Sequence, residues 1–297
     1  MANLRDIRRR IKSIKNTAQI TRAMQLVAAS KMKKAQDQAL ASRAYAQHLE
    51  ALLRNLKEEA QNSGHPLLVE REGKRELIIV ITTDKGLCGG LNTNLLRKLL
   101  REAPSDASYV SVGAKGRNAI SKLKKDLLAD FQVRDPVHFN EVKRVAKFAV
   151  QKFLDGEIDV VKVAFTNFVN TLVNHATITQ LLPLDASQVG EKRDYDGMAG
   201  VPEPLGPEAA VYSDYLFEPD RPTVFEQLLP LYVDYLLFQM MLESRAAEHS
   251  SRMVAMKSAT DNAKGIVKDL TLEYNKLRQA AITNELLEIT TAQMAIS

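Results

Sequence analysis

Apolar residues recur along the first sixty positions in steps of three and four, at Leu4, Ile7, Ile11, Ile14, Ala18, Ala28, Met32, Ala35, Ala39, Ala46, Leu49, Leu53, Leu56 and Ala60. Only Thr21, Gln25 and Ser42 interrupt the series. A seam this narrow, sustained over many heptads, predicts a coiled-coil helix rather than the broader stripe of a helix lying on a globular core. A second seam runs through Met253, Met256, Thr260, Ala263, Val267, Leu270, Tyr274, Leu277 and Ala281, and its phase then moves to Ile282, Leu286, Ile289 and Ile296. Neither glycine nor proline occurs from Met1 to Ser63, and Leu231 to Ser297 holds no proline and the single glycine Gly265. Proline costs a helix interior about 3 kcal/mol and glycine about 1, so both runs suit uninterrupted helices. At about 1.5 Å per residue, each would be on the order of 90 to 100 Å long. The simplest partner for one terminal helix is the other, wound antiparallel with the middle of the chain as an oversized connection. The competing arrangement packs each helix separately on a globular body.

Between the seams the texture changes to short β-branched runs alternating with amphipathic segments. Leu77 to Thr83 predicts a buried strand, followed by the turn Asp84-Lys85-Gly86-Leu87-Cys88-Gly89-Gly90 and a helix from about Thr93 to Glu102. Tyr109 to Val112 predicts a second strand, and Gly113-Ala114-Lys115-Gly116-Arg117 opens a helix to about Lys125. A third helix is expected from Asn140 to Leu154, then strands at Ile158 to Phe168 and His175 to Leu184 that form an antiparallel edge hairpin. This alternation implies a Rossmann-like α/β domain, its mostly parallel sheet covered on both faces. From Asp185 to Arg221, repeated glycines and prolines predict a loop, mobile within 188–210, with Tyr212 to Phe217 as a candidate edge strand. The predicted organisation is an N-terminal coiled-coil helix over 1–63 and a central α/β domain over 64–222, loop-rich at about 185–211. A C-terminal coiled-coil helix over 223–297 completes it.

Composition matters through its distribution. The chain of 297 residues has 41 Lys and Arg against 36 Asp and Glu, a net charge of +5. Residues 1–34 hold ten of those cations against Asp6 alone, so the rest is slightly acidic. A basic N-terminus resembles an organelle-targeting peptide, but the seam continues in register through it, which a cleavable segment has no reason to do. No secretory signal is expected. The most apolar stretch, Leu228 to Leu242, is interrupted by Pro230, Asp234 and Gln239 and is not expected to span a bilayer. The lone Cys88 excludes an internal disulfide and suits a reducing compartment.

The residues offer little chemistry. Glycine-rich turns at helix starts attract anions, yet neither turn fits a Walker or dinucleotide fingerprint, so both are expected to be structural. The histidines at 48, 65, 138, 175 and 249 are scattered, Cys88 has no supporting His nearby, and no cofactor, metal or catalytic group is expected. The basic arm, including Arg8, Arg9, Arg10 and Lys12, has two readings on composition alone. It is a nucleic-acid-binding element that releases counterions from phosphates, or a basic shaft facing acidic protein surfaces.

Four blocks decide between them. Ile11-Lys12-Ser13-Ile14-Lys15-Asn16-Thr17, continued by Ile20-Thr21-Arg22-Ala23-Met24 and Val27-Ala28-Ala29-Ser30-Lys31-Met32, closely resembles the N-terminal helix of the F-type ATP synthase gamma subunit family. Thr83 to Asn92 resembles the family's loop after its first strand. Leu242-Glu243-Ser244, Glu248-His249, Arg252 to Lys257 and Ala259 to Ala263 form the third block. Tyr274-Asn275-Lys276, Arg278-Gln279-Ala280 and Ile282 to Ile289 form the fourth. The blocks occur in family order across nearly the whole chain.

The resemblance implies a non-catalytic central rotor shaft. Its coiled coil would turn inside a ring of alpha and beta subunits, and its body would rest with epsilon on the membrane rotor ring. It would sit peripherally on the cytoplasmic face of the bacterial inner membrane, without a span of its own and without nucleic acid. Arg278 and Gln279 match the family's pair that contacts a beta-subunit loop, and Met24 lies near where the shaft meets beta's acidic lever. Ala18, Ala28, Ala35 and Ala39 would let the paired helices approach closely. Two departures stand out. Ala292 and Gln293 replace the family's usual Gly-Ala pair, which puts the bearing contacts at the tip in question. With Cys88 alone, the redox switch of the photosynthetic versions cannot form.

Overall fold

The computed structural model describes residues 4–56, 64–71, 73, 75–185 and 216–296. The expected helix end at 57–63, most of the loop-rich segment, and residues 212–215 of the candidate edge strand lie outside them. Leu216 and Phe217, the last two residues of that candidate, are not in a strand.

In chain order the elements are α1 (Leu4–Asn55), β1 (Glu76–Ile81), α2 (Leu91–Glu102), β2 (Ser108–Val112) and α3 (Ala114–Lys122). Then come β3 (Leu127–Phe131), α4 (Phe139–Leu154), β4 (Val160–Phe168), β5 (Asn174–Leu182) and α5 (Arg221–Ile296). Two compact units result. One combines 1–28 with 253–297 and the other is the continuous stretch 29–252.

The larger unit is built on a five-stranded sheet in the order β3-β2-β1-β4-β5. β1 pairs in parallel with β2 and β4, β2 pairs in parallel with β3, and only the β4–β5 hairpin is antiparallel. Because strand side chains alternate in direction, Leu77, Ile79 and Ile81 of β1 enter one core and Ile78 and Val80 the other. Val142, Val145, Ala146, Ala149 and Phe153 of α4 close the first core together with Leu49 and Leu53 of α1 and Phe225 to Leu242 of α5. Leu95 and Leu99 of α2 and Ile120 of α3 cover the opposite face. The apolar stretch Leu228 to Leu242 thus belongs to a protein core, and among the described residues no helix is long and apolar enough to cross a membrane.

The sequence reading missed β3. Only alternate residues of Leu-Leu-Ala-Asp-Phe are partly covered, because an edge strand packs on one face. Several boundaries also shift: α3 stops at Lys122 rather than Lys125, and β1 and β5 end at Ile81 and Leu182. Gly113 joins β2 to α3 at φ +106°, and a Cβ there would stand 2.3 Å from the Thr82 carbonyl oxygen. No other residue type fits so close an approach.

Asp234 is buried on α5, with the Lys143 ammonium 3.9 Å away on α4. Burial pushes its carboxyl up to about 6, and Lys143 opposes only part of that shift. Since its pKa is higher folded than unfolded, ionisation costs stability as pH rises through this window, and the cost is fully present above it. We expect Asp234→Asn to stabilise the chain by roughly 1–2 kcal/mol at pH 8 and to leave it unchanged near pH 4, read by thermal denaturation at both values.

Candidate partner-contact surface

In the smaller unit the two chain ends face each other through their seams. The Thr21 and Thr260 hydroxyls lie 2.7 Å apart, while Thr260 also donates to the Met256 carbonyl and Thr21 to that of Ala18. One polar interruption from each seam therefore meets the other. Continued from this contact in opposite directions, the antiparallel register sets Ala18 opposite Ala263, Ile14 opposite Val267, Ile11 opposite Leu270, Ile7 opposite Tyr274 and Leu4 opposite Leu277. Every one of these positions is buried or half-buried. In the larger unit Ser42 hydrogen-bonds Gln239 and Tyr235, an antiparallel register of the same kind between α1 and α5.

Pairing of the seams turns the other positions outward. Arg8, Arg9, Arg10 and Lys12 are all exposed. Arg9 has an ion pair with Asp6 at 3.5 Å, and because both groups are largely in water it contributes little. Arg278 and Gln279 are exposed one and two residues beyond Leu277, and Met24 is half-buried beside the seam. In the antiparallel register Met24 lies level with Lys257, about 30 Å along α5 from Arg278. These predicted contact residues are therefore not gathered into one site. Arg278 and Gln279 lie near the basic cluster, and Met24 occupies a separate level.

Leu277 stands opposite Leu4, the first described residue of α1, and beyond Ala281 the apolar side chains of α5 are exposed. Ile282 is 49%, Leu286 58% and Ile289 58% exposed. Ile282, Leu286 and Ile289 of the phase-shifted seam therefore lie largely open to water. Leu287 and Met294 are exposed beside it, as are Ala292 and Gln293. Exposed apolar residues gathered at one helix end are a feature of protein-binding surfaces.

A second concentration of polar groups lies within the larger unit, where α5 meets the loops after β1 and β3. Arg252 donates to the carbonyls of Lys85 and Gly86 and pairs with Glu248 at 2.9 Å, and Glu248 also holds Arg245 at 2.7 Å. Cys88 is buried in the same turn, where the Asn92 side chain bridges it and Thr83. Asp84 accepts from the first backbone N–H of α3, occupying the helix start that invited an anion. The sequence reading singled out none of Arg245, Glu248 or His249 for a role. Their spacing of three and four along α5 was the available signal. Among the described residues no group of three His, Cys, Asp or Glu side chains comes together as a metal site requires.

A family model described as ATP synthase matches residues 3–296. The chain is 52% identical over 295 residues to the ATP synthase gamma chain of Opitutus terrae, covering 99% of each. It is 48% identical over 296 residues to that of Akkermansia muciniphila, covering 100% of each. Among solved structures, a chain of the Euglena gracilis mitochondrial ATP synthase in an OSCP/F1/c-ring assembly aligns with a TM-score of 0.66 at 20% identity, covering 99% of this chain and 94% of that one. A chain of the Tetrahymena thermophila central stalk and c-ring aligns at 0.58 with 24% identity, covering 81% and 99%. At these identities the structures support the fold.

Proposed function

The chain belongs to the ATP synthase gamma-chain family, as a non-catalytic subunit, and from that premise we propose that it is the central rotor shaft of an F-type ATP synthase. Ion flow through a membrane rotor ring turns it, and its asymmetry drives the catalytic sites of surrounding alpha and beta subunits through their binding states. Epsilon and the rotor ring are its partners at the body. It works peripherally, on the cytoplasmic face of the membrane. Residues 1–63 and 223–297 serve as the shaft and 64–222 as the body.

The observation that carries this reading is the exposure of Ile282, Leu286, Leu287 and Ile289 on the helix end beyond Ala281, on a chain that matches the family over its whole described length. A shaft tip held in a sleeve of other subunits has such a surface. Its apolar side chains turn against the sleeve without hydrogen bonds that would have to break at each step. Lower on the shaft, Arg278 and Gln279 present a guanidinium and an amide outward, and they contact a beta-subunit loop. Met24 makes its contact at a separate level. Arg8, Arg9, Arg10 and Lys12 face acidic surfaces of the ring.

Two measurements test the proposal. Replacing Arg8, Arg9, Arg10 and Lys12 by Gln is expected to weaken assembly with alpha and beta, with a larger deficit at low salt than at high salt because screening already removes their contribution there. Unchanged assembly together with lost affinity for nucleic acid would give the arm another role. The double substitution Arg278→Ala and Gln279→Ala removes a charge-assisted contact worth roughly 1.5–3 kcal/mol, so a step that depends on it slows about 10- to 150-fold. Multisite turnover and ion-driven synthesis are expected to fall while single-site nucleotide affinity survives, because the nucleotide chemistry belongs to other chains. Alanine favours helix, so unfolding does not explain such a loss. Normal turnover in an assembled, coupled complex removes these two residues from the contact.

A further inference from the structure

We infer that the loop joining β3 to α4 is a strap that holds the α/β body to both long helices at once, with Asp135 as its charged node. The strap positions the body for torque transfer. The inference rests on the rotor reading and adds to it the place where the load passes.

Three alternate residues of the loop make the grip. The Val133 carbonyl accepts from Arg245 of α5 at 2.7 Å. The Asp135 carboxylate accepts from Lys31 of α1 at 2.7 Å, and Nε2 of His249 on α5 stands 3.3 Å from the same oxygen, a close polar contact without hydrogen-bond alignment. The Val137 carbonyl accepts from Gln38 of α1 at 2.6 Å. Val133 and Val137 bury their side chains in the core, so the loop is fixed from beneath while its polar atoms reach the helices. On each helix the gripping residues share a face: Lys31 and Gln38 are two turns apart on α1, Arg245 and His249 one turn apart on α5.

The chemistry suits a joint that carries load. His249 and Lys31 hold the Asp135 carboxyl well below the usual carboxylate range, so it stays charged wherever the complex operates. Arg245, Glu248 and His249 are nearly inaccessible to water, and screening by salt is weak there. A core that needed only stability would be served as well by apolar packing, since burying charge costs desolvation. Hydrogen bonds and ion pairs resist sliding, because their strength depends on direction. The turn after β1 also holds α5, through Arg252, whose bonds tie that turn to α5 alone. The strap spans both helices, and a body gripped at two helices cannot pivot about either.

The test uses the assembled complex, with the alpha and beta ring fixed to a surface and a bead on the α/β body, and reads the angular fluctuation of the bead while the motor pauses. Asp135→Asn is expected to widen the angular variance on the order of two-fold, since Arg245 and Arg252 still hold α5. Asp135→Glu returns it toward the native width. Lys31→Met widens it less, and adding Lys31→Met to Asp135→Asn brings no further change because both act through one contact. Native variance in Asp135→Asn, or independent addition of the two effects, would overturn the strap. If Asp135→Asn does not assemble, Lys31→Met at its half-exposed site carries the test alone, and native variance there overturns the proposal. A native complex that neither assembles nor rotates is a failure of the rotor reading, not of the strap.

Discussion

The structure depends on the mutual burial of two seams, one from each end of the chain. Neither seam has enough apolar surface to hold a helix of this length by itself, and isolated helices gain little from propensity alone. Once Thr21 meets Thr260, each step forward on α1 is answered by a step back on α5, and the side chains between them leave water. Small residues at Ala18, Ala28 and Ala263 keep the two backbones close. The outward faces are released from any packing duty, so they can be basic at Arg8 to Lys12 and polar at Arg278 and Gln279. They can also be apolar beyond Ala281, where Ile282, Leu286 and Ile289 are exposed.

The sheet solves a different problem, which is how to hold two long helices at once. Its first core takes in Leu49 and Leu53 of α1 and the whole stretch from Phe225 to Leu242 of α5, so the helices are part of the body's interior. Apolar packing supplies most of the stability but tolerates sliding. The polar contacts of Arg245, Glu248, His249 and Arg252 add direction to it, and they cluster where the loops after β1 and β3 reach the helices. Pro230 lies inside α5 within this buried stretch and removes one backbone hydrogen bond. Dense burial of its neighbours Leu229, Tyr232 and Val233 offsets that loss.

Much of this was legible from the residues. The heptad steps named the seam positions that are buried or half-buried in the smaller unit, since a two-helix interface writes its period directly into the sequence. β1, with both faces covered, was readable from its run of β-branched residues, and so was the β4–β5 hairpin. β3 was not, because an edge strand covered on one face offers five residues with mixed polarity and no strong period. The grip at Val133, Asp135 and Val137 was also hidden. Two of its three acceptors are backbone carbonyls, which every residue has, and the third is a single aspartate whose partners lie over a hundred positions away. Arg278, Gln279 and Met24 came from resemblance; the first two are exposed and Met24 is half-buried. The departure at Ala292 and Gln293 changes side chains on a helix that continues through them to Ile296.

The two chain ends pair antiparallel in one register, as a shaft that turns as a unit requires. Cysteines at Ala18 and Ala263, introduced with Cys88→Ser, test it most directly, because a disulfide requires Cα atoms within about 7 Å. This pair is expected to close rapidly under mild oxidation, Ala18→Cys with Leu270→Cys one heptad away to close little, and the cross-linked complex to keep its full ATP turnover. Preferential closure of the displaced pair would contradict the register. Arrest of turnover by the correct cross-link would show that the helices move against each other.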